Sequence, residues 1–219
     1  MSRIPLFPLP VVLFPGAVMP LHIFEPRYRQ MVADCLEGDR RFGLMHHDSD
    51  EQGPFLGEAG GVGTIAHITR HEPMDDGRSM ILVRGEGRFS IREEHDLERL
   101  YYEASVMPYT DRGLPDTAAI LRARDHTLRL FHTVLRTMHG PPDEVPGFDR
   151  QRDLSFQLAP MIQIDARWQQ SFLELREEAY RLERLDAVFQ AAVDRAAGDP
   201  ASIDDDGPEP GGFDPGRAH

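Results

Sequence analysis

Prolines 5, 8, 10, 15 and 20 interrupt an apolar run from Ile4 to Phe24, and this spacing limits the amino-terminal segment more than any other feature of the sequence. Each proline fixes φ and removes a backbone donor, so the run cannot hold a continuous helix. It is therefore not the apolar core of a signal peptide, for which one preceding basic residue, Arg3, is also too little. Nor is it a helix able to cross a bilayer. Extended structure remains. Residues 4–7 and 18–23 read as short strands, with a turn at Phe14-Pro15-Gly16. Strands this rich in proline belong at a sheet edge or pair on one side only. The expectation is a soluble, cytoplasmic chain with no membrane partner.

Beyond Phe24 the pattern changes twice. Glu25-Pro26-Arg27-Tyr28 opens a helix, with Pro26 in the first turn where its missing N–H is not needed. Tyr28, Met31, Val32 and Cys35 fall at helical spacing, and Gly38 is the stop. A series of short β-type runs follows: 41–46, 62–68, 80–83, 88–92 and 101–107. Asp75-Asp76-Gly77 is a hairpin signal among them. Several strands with few helices between them predict a small antiparallel barrel or sandwich. Residues 49–61 form a Gly- and acid-rich loop carrying Phe55 and Leu56. Gly60-Gly61-Val62-Gly63 precedes a strand rather than a helix, so it is a close-packing loop and not a phosphate cradle.

From Asp116, a ready N-cap, the apolar period lengthens to nearly four. Leu121, Leu128, Phe131, Leu135 and Met138 share one stripe, and Gly140-Pro141-Pro142 ends it. A shorter helix, bent at Pro160, is predicted over 154–161. Asp165 then caps one long helix whose stripe runs from Trp168 through Phe172, Leu175, Ala179, Leu182 and Phe189 to Val193. The stretch 199–219 is acidic and rich in Pro and Gly. It buries too little to offset its ordering entropy, and is predicted to be a disordered acidic tail. The organisation read from the chain is thus a β lobe over 1–112, a helical lobe over 113–198 and the tail.

Composition narrows the function. The net charge is −13, and all 24 basic residues are Arg. Without Lys there is no Ser–Lys dyad, no Schiff-base lysine and no phosphate-loop lysine. Residues 1–112 carry 12 Arg against 18 acids, and 113–198 carry 11 against 13. Nucleic-acid binding rests largely on cationic neutralisation of phosphates, so no nucleic-acid partner is expected. Cys35 is the single cysteine, which excludes an intramolecular disulfide and leaves a Cys-based zinc site without ligands.

Two strings resemble the opening of the Lon protease amino-terminal family, the LON substrate-binding domain. They are Ile4-Pro5-Leu6-Phe7-Pro8-Leu9-Pro10-Val11-Val12-Leu13-Phe14-Pro15-Gly16 and Met19-Pro20-Leu21-His22-Ile23-Phe24-Glu25-Pro26-Arg27-Tyr28. Val62-Gly63-Thr64-Ile65-Ala66 and Gly85-Glu86-Gly87-Arg88-Phe89 are similar to its central strands. Leu154-Ser155-Phe156-Gln157-Leu158-Ala159 and the Leu173-Glu174 to Arg181-Leu182 spacing are similar to its helical part. The resemblance covers roughly residues 4–195. It implies an α+β fold: an N-terminal PUA-like antiparallel β-barrel with one short helix, then a C-terminal helical subdomain. It also implies recognition of polypeptide without catalysis, since the ATPase and peptidase parts are absent from this sequence. The expected state is a monomer or dimer, with no cofactor and no metal.

Within the shared motifs, Phe14, Pro15, Pro20, Leu21, Phe24, Glu25, Arg27, Tyr28, Gly63, Gly85, Arg88 and Phe89 are read as mainly structural. Phe14, Leu21, Ile23 and Phe24 are expected to fill the barrel or its seam with the first helix, and Arg27 to pair with Glu25 or another acid. The recognition surface is sought instead among apolar residues with no evident place in a core: Phe55, Leu56 and Met74. A free strand edge accepting an extended peptide is a further route. His46, His47 and Asp48, with His67, His71 and Glu72, supply metal-type ligands, but neighbours on a strand face opposite ways. No Gly-x-Ser-x-Gly elbow occurs. An RNA-binding PUA-like module and a small-ligand or metal-binding barrel stand as the alternatives.

Overall fold

A computed structural model describes residues 2–48, 55, 57–95, 99–112, 117–139 and 147–198. Leu56, the Asp116 cap, the stop at Gly140-Pro141-Pro142 and the tail 199–219 lie outside the described residues. Among the described residues six strands and five helices follow in the order β1 (Ser2–Leu9), β2 (Val18–Ile23), α1 (Pro26–Glu37), β3 (Arg41–His46), β4 (Val62–Pro73), β5 (Ser79–His95), β6 (Tyr102–Pro108), α2 (Thr117–His139), α3 (Leu154–Leu158), a 3-10 turn (Ala159–Met161), α4 (Ala166–Leu173) and α5 (Glu178–Gly198), the two runs read at 80–83 and 88–92 being one strand. None of the described helices is long and apolar enough to cross a membrane.

The strands form one sheet in the order β2-β5-β4-β3-β1-β6, with a further β5–β6 pairing. β5 is long enough to serve two neighbours on one side. Residues 79–84 pair with β2, and residues 89–95 pair with β6. The sheet therefore coils until its ends approach, yet β2 stays outside as a free edge. The result is a coiled six-stranded sheet, not the closed antiparallel barrel expected, and β1 runs parallel to β3. The proline-rich β1 also departs from the one-sided expectation. Residues 2–6 pair with β6 and residues 6–9 with β3, so the strand changes partner midway and few of its amides face two ladders at once.

Two packing contacts explain glycines of the motif. Phe89 is 1% exposed, and its ring tip would lie 2.6–2.7 Å from any Cβ added at Gly43 or Gly63. The ring fits only because both neighbours lack side chains. Tyr28, Met31, Val32 and Cys35 of α1 are buried against Phe7, Phe42 and Ile68 of the sheet, as their spacing predicts. Burial also pushes the Cys35 thiol up to about 12, which makes it an inert packing residue.

The helical part joins the sheet through one apolar cluster. Val12, Phe14 and Val62 come from the β part; Leu128, Phe131, Leu154, Phe156, Phe172, Leu185 and Phe189 come from the helices. Leu121 is an exception to its predicted stripe: it is exposed, and Ile120 is buried in its place. The single long helix predicted from Asp165 is in fact two. Asp165 does cap α4, accepting from the Trp168 N–H at 2.9 Å, but the helix stops at Leu173 and restarts at Glu178.

The break coincides with a buried charge cluster. Arg88 of β5 crosses into the seam and donates to the carbonyls of Leu173 (2.6 Å) and Leu175 (2.7 Å). Arg181 of α5, fully buried, donates to the Leu175 carbonyl at 2.8 Å and to Ser155 Oγ at 2.9 Å. Both guanidiniums converge on Asp111, Arg88 by a short bond and Arg181 through both nitrogens at 2.9 and 2.6 Å. Both also lie over the Phe156 ring, at 5.1 and 4.2 Å. Carbonyls freed by ending α4 thus become ligands for two buried cations. A second buried pair, Arg124–Glu178, stands nearby.

Asp111→Asn leaves two buried guanidiniums without their shared anion, and is expected to cost about 3–5 kcal/mol in urea unfolding. The same residue governs an acid transition. Burial alone would raise the Asp111 carboxyl, but hydrogen bonds and charge from Arg181 and Arg88 outweigh it and hold the group below its ordinary value. A depressed carboxylate contributes stability in full above the unfolded value, about 3.9, and loses it as pH falls through the folded value. Thermal midpoints should therefore drop steeply below about pH 4, and this limb should be flatter in the Asn variant.

Candidate functional site

The sequence-predicted recognition residues separate in space. Phe55 is buried, 7% exposed, with its ring edge-on to Tyr102 (5.0 Å) and His47 (5.5 Å). It joins Leu6, Met45, Phe89 and Ile91 in the sheet interior, which corrects its reading as a surface contact. A polar, Gly-rich neighbourhood in sequence concealed a residue folded back onto the sheet. Met74 is exposed at the β4–β5 hairpin. Phe24 reverses its expectation as well. It stands 56% exposed beside the His22 ring, because alternation along β2 points it away from buried Ile23.

The remaining motif residues build the frame. Arg27 pairs with Glu25 at 2.8 Å and covers the Tyr28 ring at 4.5 Å. Phe14 packs against Phe156 and Phe172 at the seam. The Phe14 carbonyl lies against Gly85, where an added Cβ would come within 2.3 Å of it. The loop carrying Pro15 then runs into β2, with the Gly16 N–H bonded to the Gly85 carbonyl at 2.8 Å. The position of β2 therefore depends on Gly85.

β2 has two ordered faces and an open edge. Met19 and Leu21 pack partly against the core and Ile23 is buried, while Val18, Pro20, His22 and Phe24 are exposed. The Ala17 carbonyl accepts from the Gly85 N–H at 2.9 Å. Alternate residues from Ala17 thus direct their backbone groups at β5, and Val18, Pro20 and His22 direct theirs outward. Pro20 has no N–H to offer, so the edge presents amides at Val18 and His22 and carbonyls at all three.

Beside the start of this edge runs a groove of about 490 Å3 between the β and helical parts. Val11, Phe14, Val18 and Met19 form one wall, and Pro160 and Ile164 the other; Gln169 is its one polar lining residue among those described. Val11 and Val18 remain substantially exposed, and so does Met161 next to Pro160. The arrangement offers apolar contact and backbone hydrogen bonds side by side, and it holds no nucleophile–base pair. The sequence pattern contains the alternation at Val18–Ile23, which is the signal that identifies this edge. Nothing in the sequence marks Ile164 as its opposite wall.

The histidines do not converge. Glu86, nearest to His67 at 4.0 Å, is held by Arg41 at 2.7 Å. Among the described residues no three His, Cys, Asp or Glu side chains are grouped to hold a metal ion.

Comparison with known proteins places this geometry. The family model for the ATP-dependent protease La (LON) substrate-binding domain matches residues 3–186. A Lon protease of Parabacteroides distasonis is 26% identical over 193 residues, covering 83% of this chain; the chain spans 23% of that protease's length. Two solved structures share the fold. The Lon N-terminal domain protein from Xanthomonas campestris superposes with a TM-score of 0.57 at 23% identity, over 85% of this chain and 98% of that one. The N-terminal domain of a Mycobacterium avium complex Lon protease gives 0.67 at 16% identity, over 86% and 98%.

Gly85→Ala is expected to displace the Phe14 carbonyl and with it β2, lowering stability by about 2–4 kcal/mol. Amide hydrogen exchange should show the loss of protection concentrated in residues 16–23, with α5 much less affected.

Proposed function

The chain belongs to the LON substrate-binding domain family, and on that footing we propose that it is a non-catalytic module for recognising polypeptide. The match covers the substrate-binding domain and neither the ATPase nor the peptidase part of Lon. The observation that carries the proposal is the free outward edge of β2 running beside the apolar groove. An extended segment laid along the edge would exchange hydrogen bonds with Val18 and His22 and place alternate side chains toward the groove. In this reading residues 1–112 present the strand and residues 113–198 supply the opposite wall.

Such a site selects for extended, unpaired backbone with apolar side chains, which is the character of an unfolded chain. It makes little use of charge. The mixed lining and the short run of available amides favour modest affinity over tight, sequence-specific capture. RNA is a poorer occupant, because the groove lining carries no cation and the protein as a whole is anionic.

The test is fluorescence anisotropy with labelled, reduced and carboxymethylated α-lactalbumin as a permanently unfolded probe. Binding is expected at micromolar concentrations with weak salt dependence. Val11→Asp and Val18→Asp alter exposed positions and should each weaken it about tenfold, roughly 1.4 kcal/mol, with thermal midpoints close to wild type. Unchanged affinity in both variants, or tighter binding to single-stranded RNA than to the unfolded probe, overturns the proposal.

A further inference from the structure

A second concavity shares no lining residue with the groove. It lies between α1 and the β4–β5 hairpin and measures about 580 Å3, within the ~300–1,000 Å3 usual for small-ligand sites. Its lining mixes apolar side chains with Arg29, Gln30, His71, Arg78 and Ser79. Val32 and Leu36 of α1 face Pro73 and Met74 of the hairpin, and Leu100 closes one side. Met74 and Leu100 are left 38% and 67% exposed, an unfavourable arrangement for large apolar side chains unless something covers them.

Most carboxylates around the cavity are paired with arginines. Asp76 is taken by Arg78 at 2.6 Å, and Glu72 by Arg70 at 2.5 Å. Asp34 accepts from the Tyr101 hydroxyl and from Gln30, both at 2.7 Å, and also pairs with Arg99. Glu25 is committed to Arg27. Arg29 also lines the cavity, and its guanidinium has neither hydrogen bond nor ion pair among the described residues. Its position is not arbitrary: it crosses directly over Gly77, where an added Cβ would lie 2.0 Å from Nη2. Gly77, at φ +79°, serves the turn, and the guanidinium lies over it. Among the described residues, the Arg29 guanidinium thus stands unpaired at the cavity while most of the neighbouring carboxylates are held by other arginines.

We propose that this cavity receives the carboxyl-terminal end of a polypeptide, with the last apolar side chain against Met74 and Leu100 and the α-carboxylate on Arg29. A guanidinium matches a carboxylate with two parallel N–H donors, and the apolar side chains beside Arg29 offer contact to the last residue. The inference rests on the polypeptide-recognition reading and adds to it a preference for chain ends, which the groove alone does not give.

The experiment uses the full chain and a hexapeptide labelled at its amino terminus and ending in two leucines, prepared as the free acid and as the carboxyl-terminal amide. Anisotropy at low salt should show the acid binding about tenfold more tightly than the amide. Arg29→Gln, at an exposed helix position, should bring the acid to the level of the amide, and Met74→Asp should weaken both. Equal affinities for acid and amide, no binding of either at millimolar concentration, or octanoate competing as well as the peptide acid each overturn the inference. If the hexapeptides fail while the unfolded α-lactalbumin probe still binds, the groove reading stands and only the chain-end preference falls. If the unfolded probe fails while the hexapeptide acid binds, the groove reading falls instead.

Discussion

One carboxylate shared by two buried guanidiniums fixes how the helices meet the sheet. Asp111 holds Arg88 from the strand side and Arg181 from the helical side, and the carbonyls of Leu173 and Leu175 complete their coordination. Burying such charges costs several kcal/mol each, and their attraction offsets this only when the geometry is good and every donor is used. A seam of this kind adds little to net stability compared with a well-packed apolar one. What it contributes is discrimination, because a slipped arrangement of the helices would leave two buried cations without partners. The end of α4 and the start of α5 lie at this cluster.

The edge and the cavity meet a common difficulty in different ways. A free strand edge invites pairing with copies of itself. Here Pro20 interrupts the outward donors, so an extended guest can gain a few hydrogen bonds while a long self-pairing ladder is disfavoured. At the other face, exposed Met74 and Leu100 are ringed by charges, most of them already paired. Both surfaces keep apolar area in water beside polar groups.

Much of this was legible in the residues. Prolines in the first 24 positions excluded helix and placed the strand at 18–23 at a sheet edge. The spacing of Tyr28, Met31, Val32 and Cys35 predicted α1 and its buried side. The long motif resemblance anticipated the family. What failed depended on partners distant in sequence. Periodicity carried the last helix through Glu174–Glu177, because nothing local reveals that Arg88, 85 residues before Leu173, takes its carbonyl. Phe55 looked exposed because its neighbours are polar, although Tyr102 and His47 were waiting to cover it. The barrel expectation erred because nothing local shows that 79–95 is one long strand serving both β2 and β6, although the prolines did mark β2 for an edge. Arg29 looks like any solvated helix residue until Gly77 is seen beneath it.

The placement of β1 has a consequence for how the chain acquires its shape. The strand synthesised first pairs in parallel with β3 and then with β6, whose residues 102–106 are joined to residues 2–6. The sheet cannot be completed until about a hundred residues beyond β1 are free to pair, so the proline-rich strand waits with its first half unpaired. Such high separation between contacting residues slows folding and prolongs exposure to aggregation. The prolines that shape the finished sheet also make the waiting segment a poor template for amyloid-like stacking, since each removes a donor from any ladder it might join.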